Sequence, residues 1–192
     1  MQFRWPDDPL RVGPAELIRI DRTEPVQWFG TFKWDGWRRP IYIDNGTIQL
    51  FSKHDWQAKK IPPRALMDEL RSMGFPDGTA IDAEWMGPRC AEVMGGRHWF
   101  VLFDLLYLKG EWQGKEPHET RYARLKALFN SRSKTPNVIL EPVVEIGFEK
   151  MFEISKGMAL TEGIVLKGRG SRLKGNLKRC EDNGFWLKCK WR

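Results

Sequence analysis

Asn45-Gly46 stands between two segments in which apolar and polar residues alternate, Trp37 to Asp44 and Thr47 to Ser52. These residue types tolerate the two consecutive left-handed conformations of a tight hairpin turn, so this stretch is committed to an antiparallel pair of strands. Other short apolar runs follow the same pattern. Gln27 to Lys33 reads as a strand, Asp77-Gly78 turns the chain into another from Thr79 to Met86, and His98 to Leu108 is a long apolar strand. Gly163 to Lys167 and Phe185 to Trp191 read as the last two. Helical spacing appears from Pro63 to Met73, with Leu66, Leu70 and Met73 on one face, from Glu119 to Phe129, and from Phe148 to Met158. Strands dominate and do not alternate strictly with helices. The expectation is an α+β fold of mainly antiparallel sheets flanked by helices. No linker or repeat interrupts the pattern, so residues 1–192 read as a single domain.

The sequence excludes several classes. It has no apolar run of 18 residues, and MQFRWPDDPLRVG lacks the apolar region of a signal peptide, so a soluble, intracellular, cytoplasmic protein with no membrane partner is expected. Cys90, Cys180 and Cys189 form no CxxC pair, which points to free thiols. The net charge is +7, and residues 167–192, with nine Lys/Arg against two Asp/Glu, carry all of it. A surplus of this kind suits a polyanion. The alternative is a solvated basic tail, but Ile164, Val165, Leu166, Phe185, Trp186 and Leu187 are interleaved with the cations as in folded strands.

Five constellations carry possible chemistry. Lys33-Trp34-Asp35-Gly36-Trp37-Arg38 ends a strand in a tight turn. A lysine amine there becomes a nucleophile once burial or neighbouring cations lower its pKa; the structural alternative is an exposed hairpin. Asp82 and Glu84 share one face of a strand and suit a hard cation or sugar hydroxyls, or else form a solvated acidic edge. Asp104 interrupts the apolar run Val101 to Tyr107 and therefore needs a partner, while Phe103 is either core or a stacking platform for a base. Glu162 opens a short apolar strand that Lys167 closes. Lys188 and Lys190 project from one face, where two ammonium groups favour an anion between them. Reactive lysine, carboxylates, aromatic and paired lysines together form an inventory for covalent nucleotidyl transfer.

In this order the motifs resemble those of the covalent nucleotidyltransferase superfamily, which contains ATP-dependent DNA ligases, RNA ligases and messenger RNA capping enzymes. KWDGWR (33–38), DAE (82–84), LFDLLYL (102–108), EGIVLK (162–167) and WLKCK (186–190) look like its successive motifs. FDLLYLKGEWQGKEPHETRYARLKAL (103–128) and EGIVLKGRGSRLKGN (162–176) resemble the DNA ligases within it. The resemblance implies an ATP-grasp-like nucleotidyltransferase fold and sealing of nicked duplex DNA by lysine self-adenylation, AMP transfer to a 5′-phosphate and phosphodiester formation. It implies Lys33 as the residue that becomes attached to AMP, Arg38 at the ribose or phosphate, Glu84 at ribose or metal, and Phe103 stacked on adenine. Glu162 would bind Mg2+ or Mn2+, Lys188 and Lys190 would hold the α-phosphate of ATP, and Lys167 would contact the nucleotide.

Some positions depart from the pattern. Ala83 replaces a usual Gly, Thr31 stands where many ligases carry a Glu near the adenine amino group, and Lys53 stands where an Arg is common and is expected near the nucleotide. Such ligases continue after the last lysine strand into an OB-fold domain, whereas only Trp191 and Arg192 follow Lys190 here. No OB-fold domain is expected within these residues. Closure over the nucleotide would then fall to an OB-fold domain or partner protein in trans, or to the N-terminal segment with Arg4, Arg11, Arg19 and Arg22. The alternatives are an RNA ligase or capping guanylyltransferase, and a noncatalytic nucleic-acid-binding module, against which Lys33, Glu84, Glu162, Lys188 and Lys190 all argue.

Overall fold

Two sheets face each other, each with its own apolar core, in a computed structural model that describes residues 3–52, 60–87, 93, 95–176 and 182–192. The larger sheet grows from the hairpin read from the sequence. β4 (Ile41–Asp44) and β5 (Thr47–Leu50) pair antiparallel through Asn45 and Gly46, whose φ angles are 48° and 70°. β4 then pairs with β6 (Thr79–Met86), and β6 with β7 (Trp99–Leu108), giving the order β5-β4-β6-β7-β8 with the short β8 (Glu111–Trp112) at the edge. The segment expected as one strand over 37–44 is split. β3 (Trp37–Arg38) pairs with β6, and the chain breaks before β4 at Pro40, whose ring removes a backbone donor.

α2 (Arg64–Ser72) and α3 (His118–Asn130) cover this sheet. Leu66, Leu70, Leu125 and Phe129 pack on Ile41, Ile81, Phe100 and Leu102. The smaller sheet runs β1-β11-β10-β2, built from β1 (Asp8–Val12), β2 (Trp28–Trp34), β10 (Thr161–Gly168) and β11 (Asp182–Lys190). α1 (Pro14–Thr23) and α4 (Phe148–Lys156) close its far side through Leu17, Ile20, Phe148 and Phe152. The fold is thus helices on mainly antiparallel sheets, as the pattern of short strands required. No helix among the described residues is long and apolar enough to cross a membrane.

The sequence did not reveal β1, α1 or β9 (Val138–Leu140). β1 pairs in parallel with β11, and β9 in parallel with β7, so each gains its partner from a distant segment. α4 has no local cap either, because Gly147 precedes it. The Asp21 carboxylate, presented by α1, instead accepts from the backbone N–H groups of Gly147, Phe148 and Glu149 at 3.0, 3.0 and 2.8 Å.

Candidate active site

A cleft of about 250 Å3 opens between the sheets. Thr31, Lys33, Val165 and Lys188 line one wall, and Arg38, Glu84 and Phe103 the other, with Glu141 and Lys167 also reaching it. The strand registers explain one corner. Gly163 pairs with Lys33 on one side and with Lys190 on the other, which sets three strands in a row. Between Thr161 and Gly163 the β10–β2 register slips, so Glu162 is the extra residue of a bulge. Its carboxylate turns between two ammonium groups, one oxygen pairing with Lys33 and the other with Lys190. These two cations hold the Glu162 carboxyl below its usual pKa despite partial burial. Gly163 has φ 147°, and a Cβ on it would lie 1.9 Å from the Cys189 carbonyl oxygen, so the bulge tolerates no side chain there.

Asp82 and Glu84 do not act as the pair that strand alternation implied. Asp82 is fully buried and binds Arg38 through two contacts of 3.0 and 2.5 Å. Arg38 also reaches Asp8 Oδ1 and the Asp7 carbonyl, each at 2.9 Å. Glu84 keeps an edge on the cleft, and desolvation raises its pKa to about 7 against the opposing pull of Lys33 and Arg38. Asp35, two residues after Lys33, pairs with Arg192 at 2.8 Å.

Asp104, the lone carboxylate of the apolar strand, meets its partners from α3 and β10. Arg121 binds it through two contacts of 2.9 Å, and His118 Nδ1 and Lys167 Nζ lie at 3.5 and 3.8 Å. Desolvation would raise the Asp104 pKa, but Arg121, Lys167 and His118 hold it well below the ordinary value. Burial drives His118 down to about 4, so it is neutral near pH 7. Burial likewise lowers Lys167 to about 8. The Lys167 ammonium lies 4.7 Å from the Phe103 ring centroid and 4.1 Å from that of Trp186, and it has no hydrogen-bond partner among the described residues. A buried donor left in this way at the edge of a cleft favours an acceptor supplied from outside.

The described basic residues of the stretch 167–192 do not form one patch. Lys167 and Lys188 face the cleft, Lys190 holds Glu162, and Arg192 holds Asp35. Arg169, Arg172 and Lys174 line a second concavity of about 780 Å3 beside the exposed Phe185. The N-terminal segment reaches the first cleft through Asp8 and Pro9, whereas Arg19 pairs with Glu16 and Glu24 on the surface. Lys53, Cys90 and Cys180 lie outside the described residues, and Cys189 is a buried free thiol. Glu141 was missed by sequence reasoning. It follows a three-residue strand and belongs to no recognised motif, so nothing local marks it.

No family model matches the sequence. The chain is 26% identical over 199 residues to the multifunctional non-homologous end joining protein LigD of Pseudomonas aeruginosa, an alignment covering 95% of the chain and 22% of that protein. It thus spans about a fifth of the length of the curated relatives it matches. Among solved structures, a mycobacterial DNA ligase D complexed with ATP and MES superposes with a TM-score of 0.72 at 24% identity, covering 98% of this chain and 60% of that one. The ATP-dependent DNA ligase from bacteriophage T7, complexed with ATP, gives 0.61 at 16% identity, covering 96% and 68%. The chain is therefore similar in sequence to LigD proteins and similar in fold to solved DNA ligases, one of them described as ATP-dependent.

Proposed function

We propose that residues 1–192 form the ATP-grasp-like nucleotidyltransferase domain of an ATP-dependent DNA ligase, and that Lys33 becomes covalently joined to AMP. The observation that carries this reading is the corner where Lys33 and Lys190 converge on Glu162, in a cleft that also holds Phe103 and the unsatisfied Lys167. In the first step the Lys33 amine, freed of its proton, attacks the α-phosphorus of ATP. A P–N bond forms as the bond to pyrophosphate breaks. AMP then passes to the 5′-phosphate of a nick, and attack by the 3′-hydroxyl forms the phosphodiester and releases AMP. Lys188 and Lys190 stabilise charge on the α-phosphate. Phe103 and Val165 sandwich the purine, Lys167 and Thr31 face its edge, Glu84 accepts from ribose hydroxyls, and Arg38 exchanges Asp8 for ribose or phosphate oxygens. Lys53 belongs to the same nucleotide site.

A divalent ion is part of this reading. Among the described residues no three His, Cys, Asp or Glu side chains gather into a cage. The donors fit the open mode, in which Mg2+ or Mn2+ keeps waters and takes phosphate oxygens beside one or two carboxylates. Glu162 and Glu84 would hold it. When bound, it would neutralise charge on the phosphates. Nicked duplex DNA is the proposed polymer, its backbone lying against Arg169, Arg172 and Lys174, with an OB-fold domain or partner supplying closure over the nucleotide.

The test is incubation with labelled ATP or GTP and a divalent cation, followed by denaturing electrophoresis. Label should remain on the chain from ATP, and Lys33→Ala should abolish it. Label on the Ala variant would remove Lys33 from the mechanism, and preference for GTP would favour a capping-type guanylyltransferase.

A further inference from the structure

Glu141 joins the two walls of the cleft. Its main chain is fixed to the wall that carries Phe103. The Glu141 N–H donates to the Leu102 carbonyl at 2.9 Å, and its own carbonyl accepts from the Tyr122 hydroxyl at 2.7 Å. Its side chain crosses to the other wall, where Oε1 accepts the Phe32 backbone N–H at 3.0 Å and Oε2 accepts the Trp34 indole N–H at 2.6 Å. Phe32 and Trp34 are the two neighbours of Lys33. β2 pairs with β10 along one edge, and along the other, among the described residues, its backbone bridges to Val144 at Gly30. At Phe32 the Glu141 carboxylate stands in for a missing strand. The carboxylate is 1% exposed, and burying a charge costs free energy unless its hydrogen bonds compensate.

We infer that Glu141 is a positioning residue for Lys33: by tying both neighbours of the nucleophile to the strand that carries Phe103, it sets the distance between the Lys33 amine and the stacked nucleotide. This rests on the adenylation reading above. Attack requires the reacting atoms to stand roughly 3–3.5 Å apart, and 1 Å of slack costs about 100-fold in rate. Contacts to base and phosphate through Phe103, Lys167 and Lys188 do not pass through Glu141. Its loss therefore falls on the bond-forming rate and leaves ATP affinity nearly intact.

The experiment is single-turnover charging of this chain with α-labelled ATP across ATP concentrations, on Glu141→Gln, Trp34→Phe and the double variant. Gln keeps the shape but turns an NH2 toward one of two donors. Trp34→Phe removes the indole donor alone. In the double variant that NH2 no longer opposes the indole N–H, while the amide oxygen still accepts from Phe32. Each single variant should lower the saturating rate constant by roughly 10- to 100-fold, with half-saturating ATP within about threefold of wild type. The double variant should charge faster than Glu141→Gln alone, a recovery that general destabilisation does not produce. An unchanged saturating rate in folded Glu141→Gln, a loss confined to half-saturation, or no recovery in the double variant would overturn the inference. If Glu141→Gln does not fold, the saturating rate of Trp34→Phe decides. A wild-type chain that takes no label, or Lys33→Ala that does, defeats the adenylation reading itself; a wild type charging through Lys33 at the same rate as Glu141→Gln defeats only this proposal.

Discussion

Ionisable groups at and behind the cleft lose solvent to different degrees, and each is settled by different neighbours. Asp104 stays ionised because Arg121 grips it. His118 stays neutral because burial outweighs the same carboxylate. Among the described residues no hydrogen bond reaches the Glu84 carboxylate, and desolvation leaves it at about 7. A carboxyl whose folded pKa lies above its unfolded value stabilises the fold at low pH, and that contribution disappears as pH rises through the folded value. For Glu84 the window runs from the ordinary carboxylate range up to about 7. Glu84→Gln removes the cost of burying the charge. Thermal unfolding at pH 8 should show a gain on the order of 1–2 kcal/mol, roughly 2–8 °C, with little change at pH 5. Glu141, also raised to about 7, titrates in the same direction, so the variant should flatten the pH dependence without abolishing it. A lower melting temperature at pH 8 would mean that the Glu84 carboxylate is compensated by its cationic neighbours after all.

At the scale of the element, the bulge in β10 sets the corner. Regular pairing would alternate Glu162 away from its neighbours, whereas the slipped register delivers its carboxylate to Lys33 and Lys190 together. Gly163→Ala places a methyl group against the Cys189 carbonyl and demands a backbone shift. The expected cost is roughly 2–4 kcal/mol of stability, together with loss of charging at Lys33, read by denaturant unfolding and by label transfer. Gly184→Ala, in β11 with open space around the new methyl, is the control and should change stability by no more than about 0.5 kcal/mol. Equal behaviour of the two variants would show that the bulge is not what holds the corner.

Across the whole molecule, two sheets enclose the cleft and share a third apolar cluster, in which Trp186 of one packs with Ala80, Leu106 and Tyr107 of the other; polar groups on opposite walls meet where side chains cross. Arg38 to Asp8, Lys167 to Asp104 and Glu141 to Trp34 are such crossings. Of the described basic residues in 167–192, Lys167 and Lys188 line this cleft, and Arg169, Arg172 and Lys174 line the second concavity. Backbone contact with DNA should then show as salt dependence. Binding to nicked duplex should fall steeply with salt, and Arg172→Ala with Lys174→Ala should reduce the slope by about 2 on a log–log plot. Label transfer to Lys33 should be untouched by that pair. A slope unchanged in the double variant would move the DNA to another face.

What the sequence by itself determined is what depends on neighbours along the chain. The Asn45-Gly46 turn, the strand over 79–86 and the buried faces of α2 and α3 follow from turn chemistry and periodicity, which are local. The order of candidate residues from Lys33 to Lys190 came from the resemblance of short local motifs to those of a known superfamily. Tertiary structure decided what depends on residues far apart in sequence. β1 is a strand because β11 lies beside it, α4 is capped because α1 brings Asp21 to it, and Asp82 is bound by Arg38 rather than left beside Glu84. Glu141 sits 108 positions after Lys33 and touches both its neighbours. No periodicity encodes such a contact, because a buried carboxylate is stabilised by whichever donors the fold delivers to it, and only packing fixes which those are.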